Sequence, residues 1–174
     1  MASLGASLRG QAPIAETLPH LIGTVNNLVY EASSVNRYAT FFYSEFDPGT
    51  LQLSFVNAGH NPPVILRSSE SDCQLFRLSA GGPPVGLFPS VQYEGGVFAL
   101  QPGDRIVLFT DGISESMDKD DEEWGEERLI ELAKACEGLP AMEAMKRIMA
   151  ALQTFAGGAP QHDDMTVVVL RVLA

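Results

Sequence analysis

The chain has 174 residues, enough for one domain with a continuous hydrophobic core, and its 45% hydrophobic and 19% charged residues are an ordinary globular balance. Eleven Lys and Arg against 22 Asp and Glu leave a net charge of −11, which excludes a typical nucleic-acid binder, since phosphates demand basic patches. No apolar run approaches the roughly 18 residues of a membrane span, and "MASLGASLRG" lacks the charged-then-apolar order of a signal peptide, so the chain reads as cytoplasmic.

In chain order, Leu4 and Leu8 stand at helical spacing in the first segment. After Pro13, residues 14–31 place Ile14, Leu18, Leu21, Ile22, Val25, Leu28 and Val29 on one stripe, the pattern of an amphipathic helix. The period then changes to two. "YATFFYSEFD", "LQLSFVNAG" and "PPVILRSS" read as strands, the first two joined by a turn at Asp47-Pro48-Gly49. "CQLFRLS" and "GGVFAL" are further short strands, and "GDRIVLFTDG" is a buried strand entered through Gly-Asp and left through Asp-Gly. Helices follow over about 125–135 and 140–155, and a last, buried strand over 165–172 closes the chain. No linker or repeat divides residues 1–174, so the reading is a single α+β domain with a mostly antiparallel sheet core covered by helices.

Several residues read as structural. The methionines of the 140–155 helix fill core, Cys73 and Cys136 fit no metal spacing and are free thiols, and "DKDDEEWGEE" is a solvated loop and helix start. His20 lies on the amphipathic helix and His162 in an exposed loop. His60, in "SFVNAGHNPPVIL", could serve as a general acid but fits a hydrogen-bonded turn residue better. Gly81-Gly82-Pro83-Pro84 reads as a kinked loop.

Two stretches could carry chemistry. In "VLFTDGISE" a buried strand delivers Asp111 to its C-terminal end, where Gly112 lets the backbone turn; a plain Asp-Gly turn is the alternative. In "QHDDMTVVVL" Asp163 and Asp164 precede the last strand. If the two strands are antiparallel neighbours, the aspartates meet at one rim of the sheet. Clustered carboxylates repel unless a cation lies among them. Oxygen-only ligands favour Mg²⁺ or Mn²⁺, a pair of which binds a phosphate ester and activates water.

"YATFFYSEFDPGTLQLSFVNAGHNPPVIL", "GGPPVGLF", "LQPGDRIVLFTDGISES", "WGEERL" and "DDMTVVVLRV", in this order over residues 38–172, resemble the bacterial PP2C-type serine phosphatases of the SpoIIE and RsbU kind. The resemblance implies an α-β-β-α sandwich with a binuclear Mn²⁺ or Mg²⁺ centre. It also implies hydrolysis of phosphoserine or phosphothreonine by metal-activated water, typically on an anti-sigma-factor antagonist (STAS) protein. By the same resemblance Asp111 and Asp163 match metal-ligand aspartates, Asp164 takes the neighbouring position, and Gly112 is the motif's glycine. No further catalytic residue is carried over.

The chain also departs from the family pattern. Family members carry an upstream "GDVSGKG"-like stretch whose aspartate bridges two metals, whereas here no Asp precedes Asp47. The chain therefore reads as the C-terminal three-quarters of the domain, from a late start, an excised fragment or a decayed gene, with weak or single-ion metal binding and little or no turnover. A homodimer or higher oligomer is expected, because bare sheet edges and apolar faces tend to pair. Two other readings remain open: a pseudophosphatase module that binds a STAS-like partner without hydrolysis, and a cation-binding domain whose aspartates are purely structural.

Overall fold

The computed structural model describes residues 2–32, 37–69 and 72–173. The chain divides into two compact units, each built from two stretches of sequence: Met1–His60 with Leu78–Leu100, and Asn61–Arg77 with Gln101–Ala174.

The first unit carries helices α1 (Ala2–Gln11) and α2 (Leu18–Ala32) and strands β1 (Phe41–Asp47), β2 (Gln52–Ala58), β5 (Gly81–Gly82) and β6 (Gly96–Ala99). β1 and β2 form an antiparallel hairpin with Asp47 opposite Gln52, β6 pairs antiparallel to β2, and β5 adds a short parallel pairing. The hairpin turn is closed by Asp47, whose carboxylate accepts the Gly49 amide and the Thr50 hydroxyl, each at 2.8 Å. Leu21, Ile22, Val25 and Val29 of α2 pack with Val56, Ala58, Val85 and Tyr93 into this unit's core.

The amphipathic helix is shorter than its apolar spacing predicts. It begins at Leu18, with Thr17 Oγ1 accepting the His20 amide at 3.3 Å, and residues 12–14 turn and 16–17 bend the chain after the α1 helix. Ile14, outside the helix, is 71% exposed, and Leu28 also faces outward. The buried stripe instead includes Asn26, fully enclosed, whose Oδ1 accepts the Gly86 amide at 2.8 Å and whose Nδ2 donates to the Phe88 carbonyl at 2.9 Å. The Gly81–Pro84 segment is held as firmly. Gly81 lies so close to β2 that a Cβ there would sit 1.7 Å from the Asn57 carbonyl oxygen, so no other residue fits.

The second unit carries β3 (Val64–Ser68), β4 (Cys73–Arg77), β7 (Arg105–Phe109), the short helix α3 (Asp111–Ser114), α4 (Gly125–Ala135), α5 (Ala141–Ala156) and β8 (Val167–Arg171). Its sheet has the order β4-β3-β7-β8, antiparallel throughout. Val64, Leu66, Val107 and Phe109 point from one sheet face into a core completed by Trp124, Leu129, Ile130, Ala133, Ile148 and Leu152 from the helices and the segment before them. β8 is an edge strand. Only its Val167 and Val169 face that core, while Val168 and Leu170 are 43% and 49% exposed. The expectation of a buried last strand is corrected accordingly: a near-continuous apolar run does not distinguish a strand covered on both faces from one covered on one.

Candidate functional site

β7 and β8 are antiparallel neighbours, with Phe109 opposite Val167 and Val107 opposite Val169. Antiparallel pairing brings the end of one strand to the start of the other, so the segment after Phe109 meets the segment before Val167. Beyond the regular ladder the contact continues. The Thr110 amide donates to the Thr166 carbonyl at 3.0 Å, the Thr166 amide donates to Thr110 Oγ1 at 2.9 Å, and Thr110 Oγ1 donates to the Asp164 carbonyl at 3.0 Å. Asp111 and the Asp163-Asp164 pair thus stand at one rim of the sheet.

Gly112 makes the approach possible for a reason other than the turn expected of it. It sits inside α3, without positive φ, and is buried. A Cβ on it would lie 2.6 Å from the Asp164 carbonyl oxygen and 3.3 Å from the Asp163 carbonyl carbon. The glycine removes the side chain that would wedge the two halves of the rim apart.

The three carboxylates are exposed. Asp111 Oδ1 accepts the Gly112 amide at 3.0 Å, and Asp163 Oδ1 accepts the Asp164 amide at 2.6 Å, while Gln161 Nε2 donates to the Asp163 carbonyl at 2.7 Å. These bonds orient the side chains and leave the second oxygen of Asp111 and of Asp163 outside them. Such a donor set, hard oxygens with no thiolate or imidazole, suits Mg²⁺ or Mn²⁺ in kind. In number the fit is partial. Among the described residues no group of three His, Cys, Asp or Glu side chains gathers closely enough to hold an ion.

His60 is a turn residue. The side chain of Asn57, 4% exposed, accepts the His60 amide at 2.8 Å and returns a bond from Nδ2 to the His60 carbonyl at 2.9 Å. Asn57 Nδ2 also reaches the Leu78 carbonyl at 3.3 Å. The acidic run is likewise organised locally, with Asp118 Oδ1 accepting the amides of Asp120 and Glu122 before Trp124 enters the core. Thr110, which ties the rim together, carries no sequence signal beyond its place beside Asp111.

The family model for stage II sporulation protein E (SpoIIE) matches residues 1–173. Phosphoserine phosphatase RsbU of Bacillus subtilis is 30% identical over 156 residues, covering 87% of this chain and 44% of RsbU. Protein IcfG of Synechocystis is 29% identical over 147 residues, covering 84% of this chain and 23% of IcfG. The chain spans less than half the length of the curated relatives it matches. Among solved structures, the SiaA-PP2C domain of Pseudomonas aeruginosa superposes with a TM-score of 0.80 at 18% identity, covering 98% of this chain and 68% of that one. The catalytic domain of the serine/threonine phosphatase PstP, in complex with two manganese ions, superposes with a TM-score of 0.67 at 16% identity, covering 99% and 80%. The expected α+β fold of PP2C type is the fold of these neighbours.

Proposed function

The chain belongs to the SpoIIE family of PP2C-type serine/threonine phosphatase domains, and from that premise we propose that it hydrolyses phosphoserine or phosphothreonine on a protein in a bacterial regulatory pathway. The observation that carries this reading is the single rim at which the β7–β8 pairing gathers Asp111, Asp163 and Asp164. In the same reading the two compact units are halves of one phosphatase domain spanning residues 1–174.

Asp111 and Asp163, with Asp164 beside them, are the residues that would hold Mn²⁺ or Mg²⁺, with Gly112 as the close-packed seat beneath them. A bound ion of this kind supplies charge neutralisation for a phosphoryl group and water of lowered pKa. The chain's own part is positional. Thr110 and Gly112 fix the spacing of the two carboxylate segments, and the Gly112 and Asp164 amides orient one oxygen of Asp111 and of Asp163. A phosphorylated STAS-type protein is the substrate we infer, in keeping with the similarity to RsbU, a phosphoserine phosphatase by name.

Because no three His, Cys, Asp or Glu side chains among the described residues gather closely enough to hold an ion, we infer that metal binding by this chain alone is weak or limited to one ion, and that turnover is slow or absent. The same observation favours a second reading, a non-catalytic module that recognises a STAS-like partner. Among the described residues no helix is long and apolar enough to cross a membrane, in keeping with action in the cytoplasm. Exposed Val168 and Leu170 on edge strand β8 favour self-association, which light scattering would measure; a strict monomer at tens of micromolar would remove that part of the reading.

The test is phosphate release from a phosphoserine peptide with and without manganese, beside an Asp111→Asn control. Manganese-dependent release that disappears in the variant supports a working phosphatase. Absence of release, with retained binding of a STAS-type protein, selects the second reading.

A further inference from the structure

The end of β7 opposite to Asp111 carries a second polar cluster. Arg105 opens the strand, six residues and roughly 20 Å along the chain from Asp111. Beside it lies a cleft of about 210 Å³ whose wall includes Arg67, Arg105, Lys134 and Arg171, with Asp104 and Glu137. Four of the chain's eleven Lys and Arg therefore line one small cleft of a protein whose net charge is −11.

The two acidic groups on the wall offset these four charges only in part, and Glu137 is exposed and forms no ion pair among the described residues. Asp104, 1% exposed, is committed to Arg67, which reaches it through Nε at 2.8 Å and Nη2 at 2.6 Å, and it also accepts the Gln101 amide at 2.8 Å. Lys134 pairs outward with Glu131 at 2.8 Å. Arg105 is only 5% exposed, yet its partners are uncharged: Nη1 donates to the Ala133 carbonyl at 2.9 Å and Nη2 to the Leu139 carbonyl at 3.0 Å. Its Nε is buried with no acceptor.

Strand register sets a second guanidinium beside the first, because Arg171 of β8 lies directly opposite Arg105. Arg171 donates to the Gly138 carbonyl at 3.0 Å, and among the described residues neither arginine forms an ion pair with a carboxylate. Burial holds the Arg105 guanidinium below the usual arginine range, and the Arg171 charge adds to that effect, while Cys136, Glu137 and Cys73 oppose it. A buried cation with an unpaired donor and a like charge across the ladder is unfavourable, and exposed Glu137, which forms no ion pair with it, offsets this only in part.

We propose that this cleft is an anion site for a small tetrahedral oxyanion of the phosphate class, neutralised by Arg105 and Arg171 and flanked by Lys134. Two guanidinium groups suit a doubly charged oxyanion: Arg171 presents an exposed fork, and Arg105, whose Nη1 and Nη2 are held by backbone carbonyls, adds its charge and its unbonded Nε–H. The site is remote from the carboxylate rim and does not depend on the chemistry assigned there.

The experiment follows the arginine Nε–Hε resonances of the whole ¹⁵N-labelled chain, with chelator present so that no metal can recruit phosphate to the rim. Sodium phosphate is titrated against sodium chloride at matched ionic strength. The Arg105 signal, identified by its absence in Arg105→Lys, should move saturably with phosphate and stay put with chloride. Arg171→Gln changes an exposed residue and keeps the fold, and in it the apparent phosphate affinity should fall at least about tenfold. A resonance that follows ionic strength equally in both salts, or phosphate affinity unchanged in Arg171→Gln, would overturn the assignment.

Discussion

Thr110 and Thr166 exchange hydrogen bonds past the end of the β7–β8 ladder, amide to carbonyl in one direction and amide to hydroxyl in the other. The same hydroxyl also donates to Asp164, so a single oxygen couples both strands to the doubled aspartate. Thr110→Val keeps the shape and removes that oxygen. It should cost about 1 kcal/mol of stability, the usual net worth of such bonds, and lower any manganese-dependent phosphate release far more than that figure implies. Urea denaturation beside the peptide assay measures both; equal small effects on the two would deny Thr110 a role in ordering the rim.

Gly112→Ala tests the close approach directly. The new methyl would lie 2.6 Å from the Asp164 carbonyl oxygen, a backbone atom, with no flexible side chain to yield. A loss of roughly 1–3 kcal/mol is expected, in the range of overpacked sites, with the 163–164 segment displaced. A variant as stable as the parent would show that the rim relaxes freely.

Asp111→Asn should separate chemistry from folding. Asp111 is exposed, so its replacement should change stability by no more than about 0.5 kcal/mol. Any manganese-dependent release should fall by at least about 100-fold, and any rise in melting temperature on adding manganese should vanish. Retention of the metal-induced rise in the variant would remove Asp111 from the ligand set.

Asn26→Ala should weaken the first unit. The buried amide satisfies the Gly86 amide and the Phe88 carbonyl, and truncation strands both while opening a small void. A cost of roughly 2–4 kcal/mol follows, measurable by denaturant titration. A loss under about 1 kcal/mol would mean that water replaces the side chain.

Alkaline pH should reveal Tyr93. Burial pushes its phenol up to about 12 from an ordinary value of 10.0, and the hydroxyl donates to the Pro83 carbonyl at 3.0 Å. The raised folded-state value favours the neutral phenol, so its contribution is complete below pH 10 and declines as pH rises towards about 12. Tyr43 is raised as well, by partial burial and by its bond to Glu45. Tyr93→Phe should therefore flatten only part of the alkaline decline, and an unchanged profile would assign the whole effect elsewhere.

The sheet rim was legible because it depends on patterns that survive in one dimension: two apolar runs, each with aspartates at the end where antiparallel pairing would join them. Helix α4, over 125–135, was legible from its apolar spacing and acidic first turn. Short elements were not. α3 spans four residues, too few to show a period, and β5 is two glycines whose lack of side chains leaves no pattern at all. Arg105 reads as the polar mouth of an apolar strand, whereas packing against Ala133 and Leu139 encloses it. Such burial depends on partners nearly thirty residues and more away, which no local window contains.

The chain passes between its two compact units three times, after His60, after Arg77 and after Leu100. Neither unit is therefore a contiguous stretch of coding sequence, and no single cut or splice can release one whole. A crossover after His60 or after Arg77 would exchange parts of both units together, whereas one after Leu100 would part the carboxylate rim from the Asn26-pinned loop.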